Sequence, residues 1–195
     1  MPRPIRHVDP ETYYMLTNRC LLGMFLLTPD EECRRIIKGC LARAADQHDV
    51  ELVCFCFLAN HFHLIARFPR CNMAEFMEQF QGQLASRLNK HRDRSGTVFP
   101  LRYDDQALLD AQVLEDKIGY VLNNPLKDRQ VRAADRWPGV TSIDCHIDED
   151  NTFEGNWLNH ETKRKYQRRK TGDKGREDAM ETHRVELHLP ECLDG

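Results

Sequence analysis

The 195-residue sequence has no apolar run long enough to cross a membrane, a crossing that takes about 20 residues. Its first residues, MPRPIRHVDPETYY, lack the apolar segment of a secretory signal. The expectation is therefore a cytoplasmic chain. None of its eight cysteines forms a C-x-x-C pair, which argues against a zinc ribbon or a thioredoxin-like site. Cys54 and Cys56 alternate in an extended-looking run, and Cys33 and Cys40 stand one helical heptad apart. Reduced, buried thiols acting as small apolar side chains account for them. Excess positive charge is missing too: the net charge is −3 and the isoelectric point about 6.3, which counts against indiscriminate polyanion binding. No internal repeat is visible, so repeat architectures are not indicated.

What is present fits a globular chain of one domain and a tail: 41% hydrophobic and 30% charged residues. Charge is clustered. SRLNKHRDR (86–94), LKDRQVRAADR (126–136) and KRKYQRRK (163–170) are basic, and the stretch from Glu177 through Glu181, Glu186, Glu191 and Asp194 is acidic. Solvated helix faces are the ordinary explanation for such stripes, and a nucleic-acid partner is the other.

Residues 13–22 have the β-branched and aromatic content of a strand. Residues 28–49 read as a helix, with Thr28 as N-cap, Pro29 in the first helical position and acidic residues in the first turn. VELVCFCFLA (50–59) reads as a buried strand and HFHLIARF (61–68) as a second. Met73, Phe76, Met77, Phe80, Leu84 and Leu88 recur at helical spacing over 72–93. Residues 97–109 suggest a strand disturbed by Pro100, and 111–125 a further helix. The order predicts a ferredoxin-like split β-α-β-β-α-β fold, an antiparallel sheet with helices on one face, plus an extra helix. The domain is expected over 1–145 and a charged, mobile tail over 146–195.

On a strand, residues i and i+2 point the same way. His61 and His63 therefore share one face, while Phe62 and Leu64 share the other. Two imidazoles so placed suit one metal ion; alone, such a pair is more often two surface or partly buried histidines bonded to nearby backbone. Downstream, GYVLNNP (119–125) sets Tyr120 and Asn124 four apart on one helical face. Pro125 pushes Asn124 away from helical geometry, so the helix should end or kink there. A tyrosine hydroxyl becomes a nucleophile when a metal or base helps it lose its proton.

NHFHLI followed by YVLNNP resembles the single-tyrosine HUH transposases (IS200-like), and most the REP-associated tyrosine transposases. LTNRC, FPLRY and RWPGVTS support the likeness, which covers about residues 10–145. Ala59 stands where relatives usually have proline, Leu126 replaces a usual valine, and FPLRY lacks the customary tryptophan. The resemblance implies metal-dependent cleavage and rejoining of single-stranded DNA at REP-type hairpins through a 5′-phosphotyrosine on Tyr120. It implies His61, His63 and Asn124 as ligands of a divalent ion, Mg²⁺ or Mn²⁺, and association with the nucleoid. A monomer is favoured over a dimer that exchanges tyrosine helices. Arg19, Arg67, Arg87, Arg102, Lys127 and Arg129 are candidate phosphate contacts, each with surface solubility as its alternative. KRKYQRRK is open to two readings, a DNA clamp with Tyr166 stacked on a base or part of a flexible tail. Two other functions compete: a hairpin-binding protein that does not cut, and a zinc hydrolase or metal-storage protein using the histidines and cysteines.

Overall fold

The computed structural model describes residues 7–147, 151–159 and 179–190. Strand β1 is Tyr13–Arg19, with Tyr14, Leu16 and Asn18 buried and alternate residues half-buried or exposed. Helix α1 is Glu31–His48. Its cap is Asp30, whose carboxylate accepts from the Cys33 amide at 2.7 Å. Thr28, the expected cap, instead donates its hydroxyl to the Phe25 carbonyl at 2.7 Å and closes the preceding turn. The first-turn carboxylates of Glu31 and Glu32 suit the positive end of the helix dipole.

β2 (Glu51–Phe57) and β3 (His61–Arg67) are joined by a tight connection in which the Leu58 amide donates to the His61 carbonyl at 2.9 Å. α2 is Met73–His91 and β4 is Asp104–Leu108. β4 is shorter than the 97–109 expected. Proline has no amide to give a ladder, and residues 97–101 are tied elsewhere: the Leu21 amide donates to the Val98 carbonyl and the Asn18 side chain to the Leu101 carbonyl. α3 (Ala111–Leu122) is capped by Asp110, and α4 (Asn124–Lys127) follows after a one-residue break at Asn123. The expected interruption is present, but one residue earlier: Asn123 breaks the helix and Asn124 opens α4.

The sheet order is β2-β3-β1-β4, with every neighbouring pair antiparallel. This is the split β-α-β-β-α-β arrangement. Leu16, Phe55, Phe57, Phe62 and Leu64 face α1 and α2 in the main core. The opposite face carries a second apolar cluster, in which Cys54, Cys56 and Ile65 meet Leu114, Ile118 and Val121 of α3. A bulge between Leu52 and Cys54 turns Val53 and Cys54 together toward that side.

The RWPGVTS segment seals the open edge of β2. The Phe57 amide donates to the Val140 carbonyl, the Phe57 carbonyl accepts from the Trp137 indole at 2.9 Å, and Ser142 bonds to Phe55. Covering an edge in this way removes a template for strand pairing with other chains. α5 (Ile143–Ile147) follows.

The expectation of a structureless tail over 146–195 is corrected in part. β5 (Thr152–Leu158) and β6 (Met180–Glu186) pair antiparallel and lie on α1. Phe153 packs on Phe55 at 4.8 Å, and the guanidiniums of Arg87 and Arg43 lie over Trp157. Gly39 and Gly155 let the helix and strand backbones touch; a side chain at either would overlap the other element's main chain. The sequence pattern hides these strands because few apolar residues anchor them, chiefly Phe153, Leu158 and Val185. KRKYQRRK with Tyr166 lies outside the described residues.

Candidate active site

β3 alternates as its sequence requires. Phe62 and Leu64 enter the main core, and His61 and His63 open onto the α3 face. Both imidazoles are only 6% exposed, with ring centres 5.1 Å apart and planes nearly perpendicular. The antiparallel register sets Thr17 opposite His63 and Arg19 opposite His61. Thr17 Oγ1 lies 2.8 Å from His63 Nδ1, and Asn60 Oδ1 lies 2.7 Å from His61 Nδ1. With Nδ1 engaged, Nε2 is the remaining coordinating nitrogen of each ring.

Tyr120 comes to this pair from α3. Ile118 and Val121 bury that helix against the sheet, and Tyr120 sits on its shoulder. Its ring meets His63 edge to face, centroids 5.4 Å apart. The ammonium of Lys127 stands 4.3 Å from the centre of the Tyr120 ring, and that of Lys117 stands 5.7 Å away. Asn124 is 2% exposed at the start of α4, and its buried Oδ1 has no hydrogen-bond partner. Buried acceptors are nearly always satisfied, so this one is a ready oxygen donor.

Burial is the first cause that holds both histidines below the usual imidazole range. For His63, nearby His61, Arg19 and Lys117 add to it and bring the value to about 4. For His61, Arg19 acts in the same direction and Asp128 opposes it. Both rings are thus neutral near pH 7, the form that coordinates metal. Among the described residues, no group of three or more His, Cys, Asp or Glu side chains converges. A divalent ion here would need the Asn124 amide oxygen, or substrate oxygens, beside the two imidazoles. Cys56 pairs with His63 across the strands, but burial pushes its thiol up to about 12. It is a protonated packing group.

The candidate phosphate contacts divide. Arg19 and Lys127 stand beside the histidine and tyrosine rings. Arg129 is exposed just beyond α4 with φ 54°. Arg102 lies over the Tyr103 ring, ahead of β4. The structure does not bring Arg67 or Arg87 to the site. Arg67, at the far end of β3, is ion-paired with Glu51 and Glu11. Arg87 lies on the other side of the sheet, stacked on Trp157 and donating to the Leu158 carbonyl at 2.9 Å. Sequence reasoning passed over Thr17, Asn60, Lys117 and Asp128. Thr17 and Asn60 lay inside the quoted LTNRC and NHFHLI, but their tasks follow from strand register and turn geometry, which single positions do not announce.

Residues 27–103 match the family of IS200-like transposases. The match takes in the histidine strand and stops short of Tyr120. A Haemophilus influenzae protein assigned to the REP-associated tyrosine transposases is 25% identical over 107 residues, 49% of this chain and 61% of that protein; the alignment thus spans less than two thirds of the relative. Among solved structures, a REP-associated tyrosine transposase bound to a REP hairpin superposes with a TM-score of 0.65 at 15% identity, over 77% of this chain and 87% of that one. A Deinococcus radiodurans protein assigned as a transposase gives a TM-score of 0.42 at 18% identity, over 63% of this chain and 97% of that one. The fold is that of the first of these structures. Over residues 27–103, which include NHFHLI, the chain is thus similar to the IS200-like transposases, and part of it is similar to a protein assigned to the REP-associated tyrosine transposases.

Proposed function

We propose that this protein cleaves and rejoins single-stranded DNA at or near REP-type hairpins, with Tyr120 as the nucleophile. The observation that carries the reading is the meeting of Tyr120 with His63 at 5.4 Å, beside a second imidazole. Tyr120 Oη attacks the scissile phosphorus. The P–O3′ bond breaks as the P–O(Tyr) bond forms, the phenolic proton is given up, and the departing 3′-oxygen gains a proton. The product is a 5′-phosphotyrosine and a free 3′-hydroxyl. Because the phosphodiester is conserved in the tyrosine ester, a 3′-hydroxyl of another strand can attack it and release Tyr120. The outcome is strand transfer rather than hydrolysis.

His61 and His63 would hold a divalent ion through Nε2, and Asn124 through Oδ1. When bound, such an ion, Mg²⁺ or Mn²⁺, supplies positive charge to the phosphate oxygens. Two nitrogen donors favour Mn²⁺ more than an all-oxygen site would. The neutral state of both rings and the unpartnered Asn124 oxygen support this set. Lys127 and Lys117 lie against the Tyr120 ring and are cations within reach of the DNA backbone brought to it. Arg19 adds positive charge for the backbone of the bound strand.

The test is a denaturing gel with a REP-type hairpin bearing single-stranded flanks and Mn²⁺. Wild type should give a covalent protein–DNA adduct that Tyr120→Phe lacks. Hairpin binding by wild type without any adduct would establish the non-cutting alternative instead.

A further inference from the structure

The turn between β1 and α1 is held tightly yet exposes large apolar side chains. The Cys20 amide donates to the Asn60 carbonyl, Leu21 to Val98, Gly23 to Cys20, Met24 to Leu21, and Leu27 to Ala59, all within 2.8–3.0 Å. Cys20, Leu26 and Leu27 are buried beneath it. On top, Leu22 is 92% exposed and Phe25 70%. Leu22 also takes a left-handed conformation, φ 51°, next to Gly23 at φ 69°. That region is unfavourable for a residue with a side chain. Nothing in the fold needs leucine there, since its side chain packs on nothing; glycine or asparagine would make the turn at less cost. Backbone strain at an exposed apolar residue points to a use outside the fold.

The turn is continuous with the site. The Asn60 amide group donates to the Gly23 carbonyl at 3.2 Å, and its Oδ1 meets His61. Arg19, the residue that leads into the turn, is exposed and sits opposite His61 in the sheet. On the other flank, Leu101 is 73% exposed, and Arg102 follows it. Apolar side chains beside the exposed Arg19 match the alternation of base and phosphate in an unpaired strand. A paired stem offers its bases only at their edges.

We propose that Leu22 and Phe25 form a stacking ledge for unpaired bases flanking the cleaved phosphate, with Arg19 holding the adjacent backbone. The proposal rests on the DNA-cleaving reading above. The ledge takes bases through their flat faces, so it selects single strands over duplex rather than one sequence over another.

The experiment compares two fluorescent REP-type hairpins, one blunt-ended and one with a single-stranded flank, by anisotropy against wild type, Leu22→Ala/Phe25→Ala and Phe25→Tyr. The double variant should bind the flanked hairpin roughly 10- to 100-fold more weakly, the range set by loss of one base stack. Its affinity for the blunt hairpin should stay within about twofold, and Phe25→Tyr should retain tight binding. A 2-aminopurine base in the flank should be quenched by wild type and not by the double variant. Both side chains are exposed, so thermal melting should show the fold intact. Wild type that binds neither hairpin overturns this proposal together with the cleaving reading. Wild type that binds both, with a double variant that loses neither or loses both equally, overturns the ledge alone. A variant altered only in its sedimentation behaviour also overturns it and marks the turn as a contact between copies.

Discussion

Asn60 fixes the protonation pattern of His61. Its amide nitrogen must face the Gly23 carbonyl, which can only accept, so its Oδ1 faces His61 Nδ1 at 2.7 Å and accepts the ring proton. Nε2 is thereby left unprotonated, as a coordinating nitrogen must be. Thr17, beside His63, has a hydroxyl that can donate or accept, and so leaves that ring's tautomer open.

Asn60→Ala should therefore lower Mn²⁺ affinity by about 10- to 100-fold while leaving the fold intact. Calorimetric titration reads the affinity, and the ¹⁵N shifts of the His61 ring read the tautomer. An unchanged tautomer with unchanged affinity would remove Asn60 from this role.

Asn124 gives a second prediction with opposite signs in the two states. Its Oδ1 is buried and unpartnered, so the metal-free protein carries an unfavourable desolvated acceptor. Asn124→Leu should leave the metal-free melting temperature unchanged or raise it, the leucine having the same branched heavy-atom skeleton without the polar atoms. It should also abolish the rise expected when Mn²⁺ is added to wild type, because an ion stabilises only through its binding to the native state. Differential scanning calorimetry with and without Mn²⁺ decides. A variant that still gains the full metal-induced shift would exclude Asn124 as a ligand.

The histidine pair, the tyrosine helix and the break just before Asn124 were legible in the sequence because each depends on local periodicity or on one proline. So was the sheet, since Phe55, Phe57, Phe62 and Leu64 alternate on strands that bury both faces. Less legible was anything that depends on two segments meeting. Arg67 and Arg87 look like free cations in the sequence, but Glu51 and Trp157 claim them in the fold. β5 and β6 went unseen for the same reason: their stability comes from α1, through a backbone approach that Gly39 and Gly155 permit.

Acid should weaken the fold through His63. Its native value is about 4 and its unfolded one about 6.5. The native value lies lower, so the stabilisation is full above pH 6.5 and is lost as pH falls toward 4. Across that window the unfolded state takes up a proton that the native state refuses, at about 3 kcal/mol in all. His61 is lowered by burial too and acts in the same direction. Urea midpoints measured from pH 7 to 4 should fall, and His63→Gln should flatten the slope relative to wild type. Parallel slopes for the two proteins would contradict the assignment.

The junction of α1 with β5 supplies the last prediction. A methyl group at position 155 would collide with the Lys38 carbonyl and the Ala42 side chain, and one at position 39 with the Asn156 backbone. Neither obstacle is the flexible end of a long side chain, so relief requires the two elements to separate. Gly155→Ala should therefore destabilise by on the order of 2–3 kcal/mol, the range of overpacked interiors. Gly82→Ala, on α2 where a methyl meets nothing, is the control; it should stabilise by up to about 1 kcal/mol through helix propensity. Hydrogen exchange adds the spatial reading. In Gly155→Ala, protection should fall in 152–158 and 180–186 while the histidine strand keeps its own, since Phe62 packs on Phe80 of α2 and β3 is paired on both sides, with β1 and β2. Loss of protection throughout β3 as well would mean that β5 and β6 hold up the sheet that carries the site.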